Sequence, residues 1–117
     1  MPTGLSELGR FADVSFLVLA SLASGPKHGY AMMEDIRAFS GTRLEPGPLY
    51  SALSRLERRG WIEPLPATDR RRPYRLTAAG AGVLAEQVAS LERVAAAGRG
   101  RLGLLGLLGD ARPEGGA

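Results

Sequence analysis

The sequence predicts a mainly α-helical fold with one small β-hairpin. Four segments place apolar residues at helical spacing between capping residues and glycines. Two short alternating segments flank a basic turn. The chain has no cysteine, which excludes a disulfide scaffold and a thiolate zinc site. At 117 residues it reads as a single domain by length, with a modest core.

Residues 1–12, with Leu5 and Leu8 at helical spacing, read as a loose N-terminal arm that can dock on a neighbour. Asp13 is placed to cap a first helix, because its carboxylate can accept N–H groups of the first turn. Phe16, Leu17, Val18, Leu19 and Leu22 make that helix apolar nearly all round, so it is expected at the centre of the core; Gly25 and Pro26 stop it. A second helix is expected over 29–40, with Met32, Met33, Ile36 and Phe39 on its inner face and Glu34, Asp35 and Arg37 pointing away. Gly41 ends it. A third is expected over 48–59, with Pro48 at the first helical position and Gly60 as terminator.

"WIEPL" and "PYRL" then alternate as strands do, joined through "PATDRRR" with Asp69 as a turn residue. Pro64, Pro66 and Pro73 keep the sheet small. Thr77 is expected to cap a last helix over about 78–97, whose Ala81, Leu84, Val88, Leu91 and Ala95 form a heptad seam. That seam is expected to pair two copies of the chain, in preference to packing back on the first helix. From Gly98 onward the Gly/Leu-rich tail, residues 99–117, disfavours a stable helix, and 110–117 are expected to be disordered.

The net charge of +3 is unevenly spread. Between Arg43 and Arg75, eight arginines face four acidic residues, a local excess larger than that of the whole chain. Such a field suits a phosphate backbone or an anionic surface. The third helix shows where it would act. With Leu49 at zero and about 100° per residue, Ala52, Leu53 and Leu56 gather on the core side. Tyr50, Ser51, Ser54, Arg55 and Arg58 fill the opposite arc. All five donate hydrogen bonds; arginine forks to guanine or phosphate, serine reaches either, and tyrosine bonds phosphate or stacks. A helix, a short turn and this donor-rich helix make a helix-turn-helix, and Arg70, Arg71 and Arg72 at the hairpin tip add a second contact element. Lys27 can touch phosphate, and Tyr30 fits either the DNA face or the core.

"GPKHGYAMMEDI", "PGPLYSALSRLERRGWIE" and "RRRPYRLTAAG" resemble, in order and spacing, three signature blocks of PadR-type transcriptional regulators. The resemblance covers roughly residues 14–91. It implies a winged helix-turn-helix domain over 13–76 and a dimerisation helix over 77–98. It also implies a homodimeric repressor on an inverted-repeat operator and a hydrophobic or aromatic small-molecule effector. Three positions depart from the pattern. Pro48 stands where members commonly carry serine or threonine, Ser51 where they carry proline, and no glycine lies between Leu65 and Pro73.

Other motifs lead nowhere. "GRGRLG" fits a dinucleotide-binding pattern but follows a helix, and the sequence ends before an acidic ribose partner could stand about 20 residues on. His28 lacks companion metal ligands and is expected to cap the second helix. Trp61 and Tyr74 read as packing anchors. No paired carboxylates or nucleophile–base set appears, so neither an enzyme nor a cofactor is expected. No signal peptide or membrane-length apolar run is read, which, with the lack of cysteine, points to the cytoplasm. The rival reading is a winged protein-interaction module docking a transcription partner through the leucine-rich tail.

Overall fold

The computed structural model describes residues 13–107. The elements run α1 (Val14–Leu22), α2 (Gly29–Ser40), α3 (Pro46–Arg58), β1 (Ile62–Pro64), β2 (Tyr74–Leu76) and α4 (Ala78–Leu104). The expectations for the arm at 1–12 and for 110–117 lie outside the described residues. The chain divides into two compact units, one ending at Leu84 and the other starting at Ala85.

In the first unit α1 is central, as its uniformly apolar sequence predicts. The Asp13 carboxylate accepts the Ser15 N–H at 3.0 Å, and Leu17, Val18, Leu19 and Leu22 are buried. Met32 and Ile36 of α2 meet them, with Leu49, Ala52, Leu53 and Leu56 of α3 and Ile62 of β1. Phe39, expected on the inner face of α2, is 50% exposed; it lies in the last turn, beyond the last buried position, Ile36.

The helix α3 begins at Pro46 and not at Pro48. Its first N–H to find a helical acceptor is that of Leu49, bonded to the Glu45 carbonyl at 3.2 Å. Both prolines therefore sit where an N–H would have no intrahelical partner, and neither interrupts the ladder. Gly60, at φ +78°, ends the helix. Its N–H reaches the Glu57 carbonyl at 3.0 Å, and the Trp61 N–H reaches that of Leu56 at 3.1 Å, which is the Schellman closure.

The strands pair antiparallel with Glu63 opposite Arg75, whose side chains form an ion pair. The tip closes tightly: Thr68 and Arg71 exchange two backbone hydrogen bonds at 2.8 Å, around Asp69 at φ +50° and Arg70 at φ +66°. This is the two-residue primed turn that suits the twist of a hairpin. Glycine usually supplies such conformations; here Asp69 tolerates one and Arg70 holds the other at a cost of about 1 kcal/mol. Arg70→Gly should accordingly raise unfolding stability by about 1 kcal/mol, read as a higher thermal midpoint; an unchanged or lower midpoint would contradict the strain.

Thr77 fastens the hairpin to α4. Its hydroxyl accepts the Gly80 N–H at 3.0 Å and donates to the Gly60 carbonyl at 2.7 Å, while its own N–H bonds the Trp61 carbonyl at 3.1 Å. Gly80 is buried against that same carbonyl.

In the second unit α4 continues through Gly98 and Gly100 to Leu104, past the expected end at Ala97. Isolated glycines each weaken a helix by about 1 kcal/mol, which does not stop one already propagating. Gly106, at φ +78°, stops it: its N–H bonds the Gly103 carbonyl at 3.0 Å and the Leu107 N–H bonds that of Leu102 at 3.0 Å.

Candidate nucleic-acid interface

The first unit turns one polar face of α3 outward. Leu49, Ala52, Leu53 and Leu56 are buried, while Tyr50, Ser51, Ser54, Arg55 and Arg58 are all exposed. The apolar half is thus occupied by the core, and a continuous strip of hydrogen-bond donors faces solvent. Arg55 is not fully at liberty, because its guanidinium donates to the Ser15 hydroxyl at 3.1 Å and so leans on the first turn of α1.

The hairpin stands beside this strip. Tyr50, Arg70, Arg71 and Arg72 line one cleft of about 410 Å³ together with His28, Gly29, Tyr30 and Tyr74. A Cβ at Gly29 would collide with the Tyr50 hydroxyl, so this glycine lets the ring of α3 lie close to the start of α2. The N-terminal end of α2 lies at the cleft, and its partial positive charge adds to that of the arginines. Tyr30, 61% exposed, belongs to this surface and not to the core. Burial raises the Tyr74 pKa, helped by Glu57 and opposed by Arg72, so its phenol stays protonated and remains a donor.

The three wing arginines differ. Arg70 is exposed at the tip. Arg72 donates to the Leu65 carbonyl at 3.3 Å and braces the wing. Arg71 lies 3.2 Å from His28 Nε2, while His28 Nδ1 accepts the Ala31 N–H at 3.4 Å as the cap of α2. A neutral imidazole has one acceptor nitrogen, so Arg71 and Ala31 compete for it. Only one of the two contacts can therefore be a full hydrogen bond to a neutral ring.

The Lys27 side chain is held within the fold. Its ammonium bonds the Ser21 carbonyl and the Ser24 hydroxyl, both at 2.6 Å, and lies 3.9 Å from the Asp35 carboxylate. It closes the C-terminal end of α1, and its backbone bonds Tyr74 of the wing in both directions, at 3.2 and 2.9 Å. Asp35 does not simply point away, since it accepts the hydroxyl of fully buried Ser21 at 2.7 Å. Of the expected seam residues, Leu84, with Val83, is partly buried against the core of the first unit. Ala81, Val88, Leu91 and Ala95 are exposed. Trp61 and Tyr74 pack against the core, and Arg59 stacks on the Trp61 ring at 5.2 Å. Among the described residues, no helix is long and apolar enough to cross a membrane.

Neither the close packing of Gly80 nor the Ser21–Asp35–Lys27 network is visible in the sequence pattern. A glycine inside a helix was the one available signal for the former. The latter joins residues far apart along the chain, which periodicity does not reveal.

Known proteins share this fold. A transcriptional regulator from Clostridium thermocellum is 28% identical, with a TM-score of 0.65 over 72% of this chain and 84% of its own. A PadR family transcription regulator from Clostridium difficile has the same fold, at 22% identity and a TM-score of 0.66 over 72% of this chain and 92% of its own. An uncharacterized 37.1 kDa protein in transposon TN4556 of Streptomyces fradiae is 46% identical over 85 residues, which cover 73% of this chain. The present chain spans 25% of that relative's length. The model of the PadR-like family of transcriptional regulators matches residues 18–86, from α1 into α4, which includes both the donor strip and the wing. The chain belongs to the PadR-like family of transcriptional regulators.

Proposed function

We propose that this chain is a sequence-specific DNA-binding regulator, a repressor that acts as a homodimer on an inverted-repeat operator. The observation that carries this reading is the shared cleft, in which a donor-bearing helix and an arginine-tipped wing present one cationic surface. In this reading α3 enters the major groove, with Tyr50, Ser51, Ser54 and Arg58 toward base edges and phosphates and Arg55 reaching from its anchor on Ser15. Arg70 and Arg71 hold the flanking backbone, and Arg72 supports them. Tyr30 borders the same surface. The exposed seam on α4, from Val88 through Leu91 and Ala95, supports pairing of two copies; two recognition helices would then sit about 34 Å apart, one DNA turn. Family membership alone supports release by a hydrophobic or aromatic small molecule.

Ser54→Ala tests the groove assignment. Its side chain is exposed at the middle of the strip, so its loss should redistribute preference among operator variants and leave folding intact. Fluorescence anisotropy against a panel of single-base variants reads the effect. The same ranking for wild type and variant would remove Ser54 from base readout.

A further inference from the structure

The leucine-rich end of α4 has so far no role, and its spacing supplies one. Continued in steps of three and four, the seam reads Val88, Leu91, Ala95, Gly98 and Leu102, then Leu105, the residue just past the helix, whose N–H still bonds the Arg101 carbonyl at 3.2 Å. The first three and the last two are exposed, at 38% for Val88, 44% for Leu91, 40% for Leu102 and 70% for Leu105. Gly98 sits in mid-seam, and among the described residues nothing lies within 4 Å of where its Cβ would be. A glycine weakens a helix there and serves no contact among the described residues. Close approach of another backbone is what a glycine at a seam position permits.

We infer that α4 pairs antiparallel with α4 of a second copy, centred between Ala95 and Gly98, with Leu102 and Leu105 inside the interface. This rests on the homodimer reading and adds its direction and register. In this register Ala95 faces the partner's Gly98, Leu91 faces the partner's Leu102, and Val88 faces the partner's Leu105. Small residues meet at the crossing and large ones flank it on both sides. Parallel pairing would also match size with size, so charge decides between them. The antiparallel register sets Glu92 beside the partner's Arg99, twice by symmetry. It also lays the Arg101 stem along the partner's Val94, which is 66% exposed. The parallel arrangement sets Arg99 against Val94 and Glu92 against Gln87, and makes no ion pair.

The chain has no cysteine, so introduced ones report without interference. Full-length chains carrying Val88→Cys and Leu105→Cys, mixed and mildly oxidised, should form 88–105 cross-links. Leu105→Cys alone should not cross-link, because the two copies of that residue lie about 26 Å apart along the paired helices. A strong 105–105 cross-link would overturn the register and leave the dimer standing. A monomeric mass by light scattering would overturn both. A charge exchange gives an independent readout. Glu92→Arg should weaken the dimer about fivefold, as expected for two exposed pairs, and adding Arg99→Glu in the same chain should restore it. Failure of that rescue would also count against antiparallel pairing.

Discussion

Gly80→Ala lowers the stability of the first unit by about 2–4 kcal/mol, and Gly82→Ala, two residues further along the same helix, raises it by up to about 1 kcal/mol. The contrast comes from what each new methyl meets. At Gly80 it would overlap the Trp61 carbonyl oxygen and come within 2.9 Å of Leu76 Cδ1, whereas at Gly82 nothing among the described residues lies within 4 Å. The Trp61 oxygen is backbone and already accepts the Thr77 N–H, so it cannot yield without loosening the joint between wing and α4. Intrinsic helix propensity favours alanine at both sites, so opposite signs isolate the packing. Urea unfolding with an unchanged slope measures the difference. Equal shifts at the two sites would show that Gly80 is not wedged under the wing.

Replacing Arg70 and Arg71 together by alanine should weaken operator binding by about two orders of magnitude at low salt, at about 1.5 kcal/mol for each charge-assisted phosphate contact. The loss should shrink as salt rises, because each contact also releases a counterion, and the slope of log affinity against log salt should flatten by about two units. Arg72 is left in place because its bond to the Leu65 carbonyl supports the wing itself. The left-handed strain at 70 is left as it was, since alanine keeps the Cβ that causes it. Circular dichroism should therefore show an intact fold. Binding that keeps its full salt dependence would place the phosphate contacts elsewhere.

Much of this molecule was legible in its sequence because the signals were local. Asp13, His28 and Thr77 each announce a helix start and cap one. Gly41 and Gly60 announce helix ends and adopt positive φ there. The wheel on α3 separated buried Leu49, Leu53 and Leu56 from the exposed strip, since a single helix with a 3.6-residue repeat decides that alone. What escaped depends on contacts at long range. Lys27 looks like any exposed cation until the fold brings Ser21, Ser24 and Asp35 around its ammonium. The end of α4 is not legible from propensity, which points to the glycines at 98 and 100, whereas the one that terminates the helix is Gly106, which takes the left-handed cap. The wing turn without glycine was anticipated as a departure from the family pattern, but only backbone geometry shows Arg70 taking glycine's place.

Selection of bound fragments from a pool of random duplexes tests the account at its centre. Two copies of α3 held by paired α4 helices should enrich an inverted repeat, its half-sites about one DNA turn apart. Selection that yields no motif, or a single unrepeated half-site from a chain that is monomeric in solution, would contradict it.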